Sequence, residues 1–511
     1  MSRRRPPAPP PGRAALAAAV REAYPHGVAA VVAVVDAAFA ALEARLTPRM
    51  VALEAEVAAL RRRVAADSTT SSKPPSTDLS RAVRPVSLRE ASGRGPGGQR
   101  GHAGATLAWR AAPDAVVAHR PTACAACGRA LAAGAAGVVV ERAQVVDLPP
   151  VALVTTEHRR VAVACASCGH ASAGALPPGV LVGVQYGPEV RAVAVALHSY
   201  HLLPYGRTAE CLAALLGAGP SPGTLARWTA AAAAALAPAQ RAAARAITAS
   251  PTAHADETTL HVAGQRVWLH VAATATHTHY HVHRRRGREG IAPGGVWDAF
   301  AGTLVHDGWW ANFHLGAAGG ARHQLCLAHL RREAKGLHAL TEELRRPEAW
   351  LQGVDALLGR LHRLVRRAAA AGRPALAPAT RQRVAARYDA LLRTARRRHP
   401  YPVQGRDNTR PGRPHRGKVA GFADRLLKYR AEILRCASDA TVPPDNNQAE
   451  RDLRMAKLAD KVSGGFRSLG GAQAFATLRS ALSTARKQGR TAIAVLREAF
   501  ALPLGVAGAG G

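Results

Sequence analysis

Between residues 254 and 283 three β-type runs follow one another, HADETTLHV, QRVWLHVAATAT and HTHYHVH, in a chain whose other long segments carry helical periodicity. A helix candidate near 296–301 comes next, and then a further buried run, GTLVHD. Strand-type runs set in helical sequence cannot belong to a purely helical bundle. They require a sheet that flanking helices cover. This stretch is therefore the α/β part of the chain.

At 511 residues the chain exceeds what one hydrophobic core serves, so several domains are expected. Lys and Arg number 69 against 34 Asp and Glu, a formal net charge of +35. A field of that sign draws polyanions, and nucleic acid is the partner it suits. No apolar run reaches the roughly 20 residues that a membrane helix needs, and the opening MSRRRPPAPPPGR lacks the apolar stretch of a signal peptide. The expectation is a cytosolic protein without a membrane partner. In that compartment seven cysteines, four of them in two CxxC pairs, point to metal rather than disulfides.

Residues 14–66 read as helical, with Leu46, Met50, Leu53, Val57, Leu60 and Val64 alternating by four and three as a heptad seam. A short coiled coil pairing two protomers and a single amphipathic helix packed on its own domain both satisfy that pattern. Residues 67–110, with DSTTSSKPPSTD and SGRGPGGQRGHAG, hold almost nothing to bury and read as a basic linker. Residues 111–180 carry short β-type runs, VVVERAQVVDLPP and VALVTTEHRRVAVAC, framed by cysteines. Residues 181–248 are helical. Two helices there flank a Gly/Pro/Ser turn with Ser221 as N-cap, the outline of a helix-turn-helix. The strand block occupies 249–335, and an Arg/Ala/Leu helical stretch at 326–400 leads into a helical insertion at 336–414. Segment 415–460 returns with helices at 419–435 and 447–458. A helical tail, 461–511, closes the chain.

Cys124-x-x-Cys127-Gly and Cys165-x-x-Cys168-Gly are two knuckles. In each the backbone turns so that both sulfurs can face one ion, and Gly relieves the strain of the turn. Four thiolates suit tetrahedral Zn²⁺ and leave no open position, so the site is structural. The separation between the pairs is long for a zinc ribbon, and the intervening strands are expected to close it as a hairpin, with His119 or His170 able to replace one sulfur.

Three acids form a candidate set for phosphoryl-transfer chemistry, although each Asp alone also reads as a turn or cap residue and Glu450 alone as a first-turn helix acid. Asp256 lies in HADET at the start of the first strand, Asp307 ends the strand TLVHD, and Glu450 opens a helix in DNNQAERDLRM. Attack on a phosphodiester requires two divalent ions about 4 Å apart, one at the nucleophile and one at the leaving oxygen. Hard oxygen ligands select Mg²⁺ or Mn²⁺. Glu257 is adjacent but points to the other face of its strand, and Asp445 reads as a cap or turn group before the helix. Lys457 is two turns beyond Glu450 on the same face. With Arg451, Arg454 and Lys461 it is a candidate for holding DNA phosphates. His323, Cys326 and His329 are spaced like metal ligands, yet packing or support of the acids explains them better.

SSKPPSTD, GGQRGHAG, HADETTLHVAG, HDGWW, CLAHLRRE and DNNQAERDLRMAKLADKVSGGFRSLGGAQAFATLRSALSTARKQG together closely resemble the insertion-sequence family sixty-six transposases, over nearly the whole chain. The resemblance implies a multidomain α+β protein: an N-terminal helix or coiled coil, a small zinc-ribbon-like β module, a helical domain, and a ribonuclease-H-like α/β catalytic core with a helical insertion. It implies Asp256, Asp307 and Glu450 as catalytic ligands of two Mg²⁺ or Mn²⁺ ions, and Cys124, Cys127, Cys165 and Cys168 as ligands of a structural Zn²⁺. Members commonly carry Tyr where this chain has Trp309, and often a second His where Leu330 stands; neither change touches a carboxylate. The expected activity is metal-dependent cleavage and joining of transposon ends, in the bacterial cytoplasm at the nucleoid. Partners would be transposon-end and target DNA, a second copy of the chain and accessory proteins of the element. A catalytically silent, domesticated DNA-binding regulator is the alternative, and a stand-alone nuclease would cleave without joining.

Overall fold

The structure is a computed structural model and describes residues 13–64, 101, 107–148, 151–316, 320–400 and 417–501. The chain divides into two compact units, one of Met1–Val86, Gly187–Pro204 and Trp228–Gly511, the other of Ser87–Tyr186 and Tyr205–Arg227.

Helices α1 (Arg13–Ala23) and α2 (Val28–Val64) occupy the expected N-terminal helical segment, separated by a 3₁₀ turn at Tyr24–His26 and by Gly27 at φ 93°. Leu46, Met50 and Leu53 of the heptad seam are solvent-exposed. The side chains of Val57, Leu60 and Val64, and nearly all of the 67–110 linker, lie outside the described residues.

In the smaller unit, β1 (Ala162–Ala164) pairs antiparallel with β2 (Ala171–Ala173). Of the two runs expected as strands, VVVERAQVVDLPP and VALVTTEHRRVAVAC, only Ala162–Ala164 of the second forms one among the described residues, as β1; Val138, Val140, Val145 and Val154 stand exposed. β-branched residues stabilise a strand by packing on a shared, half-buried surface, and this module offers none. Farther on, α3 (Pro188–Val195) is followed by a π turn at 196–200, α4 (Tyr205–Leu216) and α5 (Pro222–Thr248). The Ser221 hydroxyl accepts the Thr224 amide at 3.2 Å, as an N-cap should.

The larger unit holds a five-stranded sheet. Strands β3 (Thr252–Val262), β4 (Gln265–Ala273) and β5 (Thr278–His283) form an antiparallel meander, and β6 (Thr303–His306) and β7 (Arg322–Leu325) add parallel to β3 on its other side, giving the order β5-β4-β3-β6-β7. Ala263 and Gly264, both at positive φ, make the two-residue turn between β3 and β4, whose twist matches that of the strands it joins. Where a helix was expected at 296–301 the chain bends instead. The helical turns come earlier, as α6 (Arg288–Ile291) and a 3₁₀ turn at Ala292–Gly294, which Gly295 ends in the left-handed region. Strand β7 was not foreseen; RHQL has no apolar run to announce it.

The helical stretch after β7 is three helices, α7 (Leu327–Glu343), α8 (Ala349–Ala370) and α9 (Pro378–Arg398). With α10 (Lys418–Lys428) and α11 (Arg430–Ser438) they enclose a core of their own around Trp350, Leu358, Tyr388, Phe422 and Ile433. Residues 401–416, most of the basic loop, lie outside the described residues.

Period-2 alternation gives β3 two different faces. His254, Asp256, Thr258, Leu260 and Val262 share one; α12 (Asn447–Ser463) lays Ala449, Leu453, Ala456 and Ala459 against it, beside Val267, Leu269 and Val271 of β4. Ala253 and Ala255 share the other, against Ile247 of α5 and against Val296, Trp297 and Phe300. The last helices are α13 (Leu469–Lys487) and α14 (Ala492–Ala501).

A buried ion pair ties the end of helix α13 to α12 and to the loop before β5. Lys487 Nζ donates to Asp452 Oδ2 at 2.8 Å and to the carbonyls of Thr274 (2.8 Å) and His277 (3.0 Å), so all three of its protons are used. Asp452 also accepts from Thr278 and Gln448. Taking one partner from a buried pair strands the other charge, at a cost of about 3–5 kcal/mol. Lys487→Met should lower the unfolding free energy by that order in urea denaturation, and adding Asp452→Leu should recover part of the loss.

Candidate active site

Strands β3 and β6 run parallel with Thr252 opposite Thr303, Ala253 opposite Leu304 and His254 opposite Val305. Continued by two positions, the same register sets Asp256 opposite Asp307. Adjacent strands lie about 4.8 Å apart, so this register brings the two acids together where β6 ends. Asp256 lies on the face that α12 covers, and α12 carries Glu450 in its first turn. Gly308, at φ 97°, turns the chain away directly after Asp307. Asp307 Oδ1 then accepts the Trp309 amide at 2.9 Å.

Asn446, fully buried just before α12, fixes that helix to the strands. Its Nδ2 donates to the Ala255 carbonyl at 2.9 Å, and its Oδ1 lies 3.0 Å from His254 Nδ1. With the amide nitrogen committed as donor, His254 Nδ1–H is the donor in that second bond. The Asn446 main-chain N–H donates to Cys326 Sγ at 3.1 Å. One residue thus ties the ends of β3, β7 and α12 together. Asp445 beside it takes two partners, the Asn447 amide and His362 of α8. Burial alone would raise its carboxyl, but these hydrogen bonds hold it below the usual range.

Burial and neighbouring acids act on Asp256 and Glu257. Burial pushes the Asp256 carboxyl well above its usual range, and the charges of Glu257, Asp307 and Glu450 push it further, with Lys457 opposing them. Glu257 points to the opposite face, as expected, but it is not a bystander. Burial and then Asp307 raise it to about 7, even though Arg286 binds it at 2.6 and 2.9 Å. The Arg286 guanidinium is itself stacked between Trp268 (4.9 Å) and Trp309 (4.2 Å), which ties the Asp307 loop to the sheet. Burial also lowers His254, to about 4, so it is neutral at physiological pH.

Glu450 Oε1 is buried and without a hydrogen bond, 3.5 Å from the equally unbonded Nδ1 of His329. Cys326 completes this group: the three ligand atoms lie within 4.8 Å of one another, and among the described residues no other three His, Cys, Asp or Glu do so. Burial, and next the Glu450 charge, push the Cys326 thiol far up. His323 lies apart on β7, against His306 and Phe313. Of the four basic candidates on α12, all exposed, Lys457 is the one whose field reaches Asp256 and Glu257. Arg451 bonds Gln448, while Arg454 and Lys461 face solvent.

Both knuckles are formed. Gly128 donates to the Cys124 carbonyl at 2.9 Å and Gly169 to the Cys165 carbonyl at 2.8 Å, with both glycines near φ 70°. Amides of the turns point at the first sulfur of each pair and lower its pKa. Of the strands expected to bring Cys124 and Cys127 to Cys165 and Cys168 only β1 forms among the described residues, and the four sulfurs do not gather within ligating distance of one another. Each knuckle is half of a tetrahedral site, with a donor set that fits Zn²⁺.

The family model described as Transposase IS66 family matches residues 183–474, more than half of the chain and all of the sheet. The chain belongs to the IS66 transposase family. A second model, the zinc-finger binding domain of transposase IS66, matches residues 121–169 and spans both knuckles. No curated protein and no solved structure matches. As an IS66 transposase the chain is a DNA-binding protein of an insertion sequence and carries a zinc finger. Among its described residues no helix is long and apolar enough to cross a membrane.

Sequence reasoning in this IS66 member missed Asn446, Arg286 and His254. Their only signal was position: each stands within a few residues, or a hairpin's length, of a candidate acid. Asn446→Ala would orphan the buried Ala255 carbonyl and the His254 N–H, at about 1–3 kcal/mol each. Urea denaturation should show a loss of that order, with little change in the m-value.

Proposed function

We propose that this transposase cleaves and joins insertion-sequence ends by two-metal phosphoryl transfer at Asp256, Asp307 and Glu450. The register that sets Asp256 opposite Asp307, beneath the helix carrying Glu450, is the observation that supports this most. The sheet order β5-β4-β3-β6-β7, with β6 and β7 parallel to β3, supports taking this domain as a ribonuclease-H-like core. Mutually repelling oxygen donors, one of them buried and unbonded, fit Mg²⁺ or Mn²⁺. When bound, such ions activate the attacking oxygen and stabilise the leaving one.

The protein's own groups supply the rest. Asn446 and His254 keep the first turn of α12 against β3, holding Glu450 toward the two aspartates. Lys457 neutralises phosphate charge at the acid cluster, and Arg451, Arg454 and Lys461 extend that surface along α12. The Glu257–Arg286–Trp309 stack fixes the Asp307 loop. A structural Zn²⁺ would join the two knuckles and supply the cohesion that their exposed surroundings lack. The exposed seam at Leu46, Met50 and Leu53 suits pairing with a second copy on DNA, where accessory proteins of the element would also act.

Asp256→Asn, Asp307→Asn and Glu450→Gln should each cut Mg²⁺-dependent nicking and strand transfer of end-containing DNA by about 10³-fold or more, a loss of at least about 4 kcal/mol of barrier lowering. Affinity for the same DNA should change only a few-fold. Native protein that binds the ends but never nicks them would overturn the proposal, and nicking without joining would make the chain a nuclease.

A further inference from the structure

Cys326, His329 and Glu450 form a ligand set of a different kind from the aspartates. The sulfur stands at the N-terminus of α7, is fully buried and accepts the Asn446 amide. One turn on, His329 Nδ1 faces Glu450 Oε1 at 3.5 Å, both buried atoms without a hydrogen bond. The two side chains stay 28% and 24% exposed, although the two atoms that face each other are buried. Three different ligand atoms within 4.8 Å need modest side-chain movement to reach a common ion. Sulfur and imidazole nitrogen beside one carboxylate select Zn²⁺ and its thiophilic neighbours over Mg²⁺.

We propose that Cys326, His329 and Glu450 bind a thiophilic divalent cation, of which Zn²⁺ is the type, and that this ion competes with the hard ions for Glu450. The inhibitory consequence rests on the catalytic reading above, whereas the binding does not. A cation here offsets the Glu450 charge that faces the sulfur and gives both unbonded atoms a partner. It also draws the Glu450 carboxylate toward α7 and away from Asp256 and Asp307. Three protein ligands leave a fourth position for water, so the ion exchanges and inhibition is reversible by chelation. Zinc thus has opposite effects at two places in one chain: it assembles the knuckles and silences the acids.

The test is Zn²⁺ titration of the full-length, metal-stripped chain against a competing chromophoric chelator, with Mg²⁺-dependent nicking measured in parallel. Cys326→Ser and His329→Ala should each bind one Zn²⁺ fewer per chain than the native protein, or bind that equivalent at least about ten-fold more weakly. Cys127→Ser, at a knuckle, should leave this equivalent intact. Micromolar Zn²⁺ should inhibit native nicking, and the residual nicking of His329→Ala should require at least about ten-fold more. Because His329 is partly exposed, its variant keeps the test decisive if Cys326→Ser fails to fold. Unchanged stoichiometry and affinity in His329→Ala would overturn the site. Loss of the equivalent with no nicking by native protein at any Zn²⁺ level would leave the site standing and defeat the catalytic reading.

Discussion

A single buried amide holds the candidate site together. Asn446 has no flexible reach of its own, yet it bonds the Ala255 carbonyl, His254 and Cys326 at once. Those groups belong to the first strand of the sheet and to the start of the helix after its last strand. Every bond is buried, so losing one exposes no group to water that could replace it. The position of Glu450, four residues along α12, follows from this anchor. So does the contact between Glu450 and His329.

The acids in turn work against the fold around them. Glu257, Asp307 and Glu450 all push on the buried Asp256 carboxyl, Glu257 from the other face. Neutral packing would be more stable. The structure offsets the repulsion locally, with Arg286 bound to Glu257 and stacked between two tryptophans, and with Lys457 facing the group from α12. Stability given up at a group of like charges is a common mark of a functional site.

How much of this was legible beforehand varied with the physics of each element. The meander was legible because alternation at HADETTLHV and QRVWLHVAATAT is a local signal, and so were the long helices. Strand β7 was not, since RHQL is polar and becomes a strand only by pairing with β6. The valine runs between the knuckles misled for the converse reason: local propensity was high, but no partner surface exists there. Asp256, Asp307 and Glu450 could be named from motif and order alone. That Asp256 lies opposite Asp307 depends on register, which no local pattern encodes. Asn446 carries no local pattern of its own; only the fold brings it to Ala255, His254 and Cys326.

The central claim is that three acids scattered through the chain form one pocket for hard cations. Diffraction at the manganese edge, from crystals grown with Mn²⁺ and without zinc, tests it most directly. The account predicts anomalous density bridging Asp256, Asp307 and Glu450, with oxygens of all three at about 2.1 Å, near the distance that small hard cations demand. Manganese held by the aspartates with Glu450 turned away, or no density among them at all, would contradict it.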